Sequence, residues 1–243
     1  MHDRARHADE IERSTLAFRR FLGLRPTDTV EIAAFGGRHK IQVAYVRSVE
    51  EHLRLLIAAE GQPEMVGSYQ VFNLIHEGLY ARIGENRWVP GAPRTSDCEL
   101  TELRAVYIDF DAKRPRGISA TDAEKQRVRD VASECKAHLA EVFGAPDALG
   151  LGDSGNGYAL FVALEPIAPS RETTAKVQRF LKAISSRFTR PGVEIDPAVC
   201  NPSRLCPAFG TLKRKGVDCQ ERPWRTTSFR CADTITRVPL AAF

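Results

Sequence analysis

Residues 104–111, RAVYIDFD, impose the strongest constraint on how this chain can fold. Successive side chains of a β-strand point to opposite faces, so the apolar residues at 106, 108 and 110 share one face. Asp109 and Asp111 share the other face with Tyr107, about 7 Å apart along the strand. Neighbouring carboxylates repel one another, and hard divalent cations are their usual partners. The segment therefore predicts either the wall of a metal site or a strand that ends in a solvated turn.

Helix-like and strand-like segments make up the rest of the chain. The pattern predicts helices at about residues 5–22, 48–59, 121–143 and 171–188, the second with Ser48 as its N-cap. It predicts strands at 29–35, 41–46, 68–75, 79–83, 148–152, 158–164, 193–196, 204–211 and 224–230. Two prolines and a glycine within residues 86–97 indicate a connection between two modules. The fold class that follows is α+β.

Composition limits the classes of protein to consider. The chain has 243 residues, 43% of them hydrophobic, which is enough for a substantial core. No apolar run is long enough to span a membrane, and the charged N-terminal residues contain no secretory apolar region. We therefore expect a soluble, cytoplasmic protein with no membrane partner. The net charge of +4 is modest, but residues 113–116 and 211–216 concentrate positive charge, either as solvated surface or as an anion-binding surface.

The six cysteines form no CxxC pair. Four of them, Cys200, Cys206, Cys219 and Cys231, fit no common spacing of zinc ligands. Thiols stay reduced in the cytoplasm, so we favour free cysteines over a structural zinc site.

A third carboxylate and a small-residue loop follow the acidic strand. Asp196 ends a short strand in EIDP, where it either completes a two-metal site or starts an Asp-Pro turn. Residues 152–158 read GDSGNGY, and glycines without Cβ let backbone amides approach phosphate oxygens. The loop is not a P-loop, because no GK[ST] follows it. A plain hairpin turn remains the alternative for this loop.

Basic residues dominate the C-terminal part of the chain. Arg204 is predicted on a strand, where its guanidinium could bind a phosphate through two hydrogen bonds. Lys213 and Lys215 follow a Gly-Thr turn. Trp224 stands among arginines, an arrangement that suits stacking on a nucleobase, although most tryptophans are core residues.

In this order the motifs resemble those of the archaeo-eukaryotic primase (AEP) superfamily, in its primase-polymerase branch of bacterial, plasmid and phage replication proteins. That family carries a DxD on a strand, an SGNGxH-type loop and a third Asp on a strand. Downstream it often shows an N-x-x-R…GT…K-G segment and an RPxR segment. The matching residues here are Asp109, Asp111, Ser154, Gly155, Asn156, Gly157, Asp196, Asn201, Arg204, Gly210, Thr211, Lys215, Gly216, Arg222, Pro223 and Arg225. The resemblance covers about residues 100–230.

The resemblance implies an AEP-type catalytic core. An N-terminal α/β unit, 1–99, would pack on a modified RRM-like sheet, 100–243, with the active site in the cleft between them. The implied activity is template-directed nucleotidyl transfer with two Mg²⁺ or Mn²⁺ ions. It would serve primer synthesis or DNA extension in replication or repair of a mobile element or bacterial system. The implied partners are single-stranded or primed DNA, NTPs or dNTPs, and a helicase domain or protein.

The resemblance also implies a role for each matching residue. Asp109, Asp111 and Asp196 would be the catalytic metal ligands. The nucleotide-binding residues would be Ser154, Gly155, Asn156, Gly157, Arg204, Lys213 and Lys215. The nucleic-acid-binding residues would be Lys113, Arg114, Arg222, Trp224 and Arg225.

One position departs from the family pattern. The loop of the family usually ends in a histidine that contacts the incoming nucleotide, and Ala159 stands at that position here. Its loss predicts weaker nucleotide binding. It also keeps a second function open, a catalytically weakened module of the same fold that binds nucleotide or single-stranded nucleic acid without efficient polymerisation. A third reading, another two-metal enzyme such as a cyclase, is disfavoured by residues 204–216 and 222–225.

Overall fold

The computed structural model describes residues 2–38 and 40–243, and the side chains of residues 7–38 and 40–243. The described helices are α1 (His2–Leu22), α2 (Val49–Glu60), α3 (Asp122–Phe143) and α4 (Arg171–Phe188). The strands of the first half are β1 (Val30–Gly36), β2 (Ile41–Val46), β3 (Met65–Val71), β4 (Leu74–Ile75), β5 (Val89–Pro90) and β6 (Leu100–Ala112). Those of the second half are β7 (Leu149–Asp153), β8 (Tyr158–Ile167), β9 (Val193–Ile195), β10 (Leu205–Pro207), β11 (Leu212–Lys213), β12 (Arg225–Thr226) and β13 (Ser228–Arg230). The predicted α+β class is confirmed.

The strand β6 organises a six-stranded antiparallel sheet. The order is β13-β7-β8-β6-β4, and β9 also pairs with β6. Along one edge β6 pairs with β8, while on its other edge β4 pairs with its beginning and β9 with its end. The helices α3 and α4 contact β6, β8 and β9 and cover the face that carries Ile108 and Phe110. The predicted alternation of residues 104–111 therefore sets the orientation of the whole sheet.

An aromatic cluster covers one end of the opposite face of this sheet. Its members are Phe18, Phe21, Phe161, Phe209 and Phe229, with ring centroids 4.8 to 6.3 Å apart. Two glycines of β7 make room for the rings, because a Cβ would lie 2.4 Å from the Phe229 ring at Gly150 and 2.5 Å from the Phe209 ring at Gly152. The cluster fixes α1 against this sheet.

A second sheet, of five antiparallel strands in the order β10-β3-β1-β2-β5, stands beside the first. The helix α2 packs on it through Leu55 and Leu56, which lie with Ile32 and Val46 in one apolar cluster. The two sheets exchange strands: β10 of the second half pairs with β3, and β4 of the first half pairs with β6. Each of these two strands pairs with a strand on the other side of the predicted boundary between residues 99 and 100. The division of the chain into two units at that boundary stays a prediction.

Several predicted elements differ from the observed ones. The strand predicted at 79–83 is wrong, because Glu77–Ala81 forms a 3-10 helix that starts where His76 Nδ1 accepts a hydrogen bond from the Gly78 amide. The predicted strand at 204–211 is reduced to β10. The strand predicted at 224–230 is two short strands, β12 and β13, which pair with different partners. The Ser48 cap is confirmed by its bond from the Glu51 amide, 3.1 Å long.

None of the described helices is both long and apolar enough to cross a bilayer.

Candidate active site

The three predicted carboxylates line one cavity beside β6, β9 and the end of α4. Asp109 and Asp111 extend from the end of β6, and β9 pairs with that end so that the Asp196 amide donates to the Asp109 carbonyl oxygen at 3.3 Å. The cavity, about 470 Å³ in volume, is lined by all three and by Glu194. The pairing of β6 with β9 thus brings together residues that are 85 positions apart in the chain.

Within this cavity, the surroundings of Asp109 shift the pKa of its carboxyl group. Burial raises the pKa of its carboxyl group to about 6, and the negative charges of Asp111 and Asp196 act in the same direction. A hydrogen bond from Tyr107 and the charge of Arg204 oppose the shift without cancelling it. Burial is the main cause, so the cavity disfavours the charged form of Asp109 as it stands.

The other two carboxylates are engaged with protein donors. Asp111 Oδ1 accepts from Arg114 Nη1 at 2.6 Å and from the Ala112 amide at 3.1 Å. Asp196 Oδ1 accepts from the Ala198 amide at 2.8 Å, and its Oδ2 lies 3.8 Å from Arg204 Nη2. An arginine therefore lies beside each of these two carboxylates, in the position that a metal cation could take.

The three carboxylates are the donor set that a divalent ion would use. Among residues 7–38 and 40–243, no three His, Cys, Asp or Glu side chains are gathered closely enough to hold a metal ion. The cysteines do not gather either, since Cys206 is buried and Cys219 is exposed. The carboxylate oxygens of Asp109, Asp111 and Asp196 fit a hard divalent cation in their chemistry. Binding requires Asp111 and Asp196 to turn away from their arginines.

Basic residues face the carboxylates across an adjoining cavity of about 260 Å³. Three of them, Arg204, Lys213 and Lys215, form what we call the cationic wall. Lys213 of β11 is buried there, with Nζ 3.3 Å from the ring centroid of Tyr69 and 3.2 Å from the Ser68 carbonyl oxygen that accepts its hydrogen bond. Burial lowers the pKa of Lys213. The predicted residues that line this cavity are Asp109, Asp111, Arg114, Ser154, Asn156, Arg204, Lys213 and Lys215. Acidic and basic groups therefore meet in one cleft.

The small-residue loop is a hairpin turn between β7 and β8. The Gly155 amide donates to Asp153 Oδ1 at 2.8 Å, and the Gly157 amide donates to Ser154 Oγ at 3.1 Å. Gly155 has a φ of +88°, and a Cβ on Gly157 would lie 2.2 Å from the Phe110 carbonyl oxygen. The backbone geometry of the turn thus explains why both positions are glycine. Their contact with a phosphate stays a prediction.

Two polar side chains of the same turn do reach the cleft. Ser154 and Asn156 line the smaller cavity, whereas Gly155 and Gly157 do not. Asn156 is buried, and its Oδ1 accepts a hydrogen bond from the Ala120 amide at 2.8 Å. The turn therefore joins the cleft wall to the segment that follows β6.

Most of the residues predicted to bind nucleic acid lie away from the carboxylates. Arg222 Nη1 donates to Glu124 at 3.0 Å and to the Ser119 carbonyl at 2.7 Å, and Arg225 Nη2 donates to Asp122 at 2.7 Å. These contacts place both arginines at the beginning of α3, where acidic residues of its first turn attract them.

The remaining members of this predicted set are dispersed. Trp224 lines a separate cavity of about 760 Å³ with Ile57 and Leu212, and Lys113 is exposed. Arg114 alone among the five is part of the cleft.

Ala159 is completely buried in the sheet. It pairs with Asp109 on one side and with Gly152 on the other, beside the ring of Phe209. We expected this position to face a nucleotide, but the aromatic cluster occupies the adjacent space. A larger side chain here would have to fit into a completely buried position between β6 and β7.

Two tyrosines of the cleft were missed by sequence reasoning. Tyr69 lies beneath Lys213, and Tyr107 lies beside Asp109 on the same face of β6. The alternation of residues 104–111 indicates the direction of Tyr107. Nothing in the local sequence indicates that Tyr69 meets a lysine 144 residues later.

Comparisons with known proteins bear on the fold. No protein-family model and no curated protein matches the chain. Among solved structures, it is similar to the AEP domain of the primase-polymerase of cyanophage S-2L, with a TM-score of 0.50, 16% identity and 92% of each chain covered. It is also similar to primase RepB′, with a TM-score of 0.47 and 13% identity over 92% of this chain and 56% of that one. The AEP-type fold implied by the motifs is confirmed.

Proposed function

We propose that this protein is a primase-polymerase that carries out template-directed nucleotidyl transfer on DNA. The observation that supports the proposal is the cleft in which Asp109, Asp111 and Asp196 stand opposite Arg204, Lys213 and Lys215. Phosphoryl transfer needs both kinds of group, carboxylates for metal ions and cations for a triphosphate. The AEP-type fold is consistent with this chemistry.

The three carboxylates would hold two Mg²⁺ or Mn²⁺ ions. When bound, such ions activate the attacking 3′-hydroxyl and stabilise the pyrophosphate leaving group. Asp109 and Asp111 are central because both line the two cavities, with Asp196 in the larger one and the cationic wall in the smaller one.

The cationic wall would bind the triphosphate. Lys213 contributes a charge whose position is fixed by the Tyr69 ring and the Ser68 carbonyl oxygen. Arg204 can offer two parallel donors to a phosphate, and Lys215 offers a point charge. Ser154 and Asn156 border the same space and limit where the phosphates lie.

A second candidate function is a catalytically weakened module that binds nucleotide or single-stranded nucleic acid. Ala159 and the separate pairing of Asp111 and Asp196 with arginines favour it. Such a module binds a fluorescent nucleotide or a labelled oligonucleotide but incorporates no nucleotide with either metal.

The deciding experiment measures incorporation of labelled NTPs and dNTPs on single-stranded and primed DNA with Mg²⁺ or Mn²⁺. Asp109→Asn is expected to lower incorporation at least about 100-fold, because metal-mediated charge stabilisation supplies several kcal/mol. The matched control is Glu165→Gln, which removes an exposed carboxylate from β8 and should leave activity within about twofold. Absence of incorporation by the unaltered chain with either metal would contradict the proposed activity.

A further inference from the structure

One arginine of the cleft holds a carboxylate that the proposed function assigns to a metal ion. Arg114 follows Asp111 by three residues, and its side chain folds back so that only 4% of it is exposed, against 48% for Asp111. Nη1 donates to Asp111 Oδ1 at 2.6 Å and to the Ala112 carbonyl at 2.9 Å, while Nε donates to the Ile118 carbonyl at 3.1 Å. The guanidinium is thus held by its own loop on one side and by the carboxylate on the other.

This arrangement differs from a surface ion pair. A guanidinium has five N–H donors, and here Nε and Nη1 are fixed within the loop while the side chain also lines the smaller cavity. Within residues 7–38 and 40–243, Nη2 of Arg114 makes no hydrogen bond. The group therefore has donor capacity left, and its side chain lines the same cavity as Ser154, Lys213 and Lys215.

We infer that Arg114 is a tethered counter-ion that occupies Asp111 until a divalent ion displaces it, and that it then binds the triphosphate. The inference rests on the proposed function. A divalent ion that binds Oδ1 of Asp111 competes with Arg114 for the same oxygen and repels the guanidinium, so this mode of binding displaces Arg114. The freed guanidinium remains anchored to the cavity, where a polyanion is the partner that it can bind through two hydrogen bonds.

Displacement makes the two binding events cooperative. The ion alone must break the pair of Arg114 and Asp111, whereas in the presence of a triphosphate the released guanidinium gains a new anionic partner. Linkage requires that each ligand strengthen the other by the same factor, which for coupled sites is typically about 5- to 150-fold. Arg114 is then a positioning residue for the metal, through Asp111, and a binding residue for the triphosphate.

The first measurement is Mn²⁺ affinity without nucleotide, read from the electron paramagnetic resonance signal of free Mn²⁺. Arg114→Gln is expected to bind Mn²⁺ about tenfold more tightly than the unaltered chain, within the range of such couplings. Arg116→Gln removes the same charge from an exposed position of the same loop and should change the affinity by less than about twofold. A merely structural arginine would give the opposite sign, because its loss would loosen the site.

The second measurement is the affinity for MANT-dATP with and without Mn²⁺, followed by fluorescence. The tightening produced by Mn²⁺ should be about fivefold or more smaller in Arg114→Gln than in the unaltered chain. Arg114→Lys keeps a cation near Asp111 but loses the fork of donors, and should lie between the two.

A measurement on the unaltered chain does not depend on the folding of a variant. Hydrogen exchange of residues 113–118 should become faster when Mn²⁺ is added, since the loop loses its contact with Asp111. Unchanged or slower exchange, or an Mn²⁺ affinity of Arg114→Gln that equals or falls below that of the unaltered chain, overturns the inference alone. If the unaltered chain binds no Mn²⁺ even with nucleotide, both the inference and the proposed metal-dependent function are wrong.

Discussion

The two ends of the cleft-facing surface of the six-stranded sheet differ in what they contribute. At one end the aromatic cluster closes over the glycines of β7 and excludes water. At the other end Asp109 and Asp111 stand on the same face of β6 and remain open to the cleft. The closed end stabilises the fold, while the open end keeps like charges together at a cost in stability. A single strand, β8, connects both, with Phe161 in the cluster and Ala159 beside Asp109.

The closed end should show the largest effect on stability. Phe161→Ala removes a completely buried ring that contacts Phe18, Phe209 and Phe229 and is expected to lower the free energy of unfolding by about 3–5 kcal/mol. Urea denaturation followed by circular dichroism measures this loss. A loss below about 1 kcal/mol would mean that the aromatic cluster does not hold α1 against the six-stranded sheet.

The open end should show the opposite sign. The pKa of Asp109 is about 6 in the fold and 3.8 in the reference state, so the folded protein retains a proton that the unfolded chain has released. The free energy of unfolding therefore falls as the pH rises from about 4 to about 6, and Asp109→Asn should be about 1–3 kcal/mol more stable at pH 7.

This gain is measured by thermal or urea unfolding in EDTA across that pH range. It should disappear below about pH 4, where Asp109 is protonated in both states. Glu165→Gln, a change of an exposed carboxylate on the same sheet, should show no such pH dependence. If Asp109→Asn were less stable than the unaltered chain at pH 7, the carboxylate would be stabilising and the comparison would be reversed.

The smallest effect on stability is expected at Ala159, which lies on β8 between the aromatic cluster and Asp109. Ala159→His places a larger side chain in a completely buried position between Asp109 and Gly152 and is expected to cost about 1–2 kcal/mol through overpacking. Nucleotide affinity should not improve, because the position is buried and the aromatic cluster fills the adjacent space. Unfolding in urea and MANT-dATP titration of the same sample test both statements. Tighter nucleotide binding without loss of stability would show that the space beside Ala159 is open.

The parts of the fold that could be predicted depend on local interactions. The alternation in β6 and the helix cap at Ser48 involve residues close in sequence, and both agree with the structure. The motif order also led to the AEP-type fold, which the structural similarity confirms.

The arrangement of the basic residues could not be predicted in this way. Arg222 and Arg225 read as anion-binding residues, yet their partners are acidic residues about a hundred positions earlier in the chain. Arg114 reads as exposed, yet its loop folds back on Asp111. A sequence pattern indicates which side chains carry charge, whereas the tertiary fold decides which opposite charge each one meets.

The exchange of β4 and β10 between the sheets has a consequence for synthesis of the chain. Until Pro207 has left the ribosome, β3 lacks its neighbour and presents an unpaired edge on a sheet that is otherwise formed. Such long-range pairing slows folding, because a long loop must close before the contact forms. The nascent chain therefore exposes an unpaired strand edge, which can pair with other chains, through most of translation. The strand that covers this edge, β10, directly follows Arg204, a residue of the cationic wall.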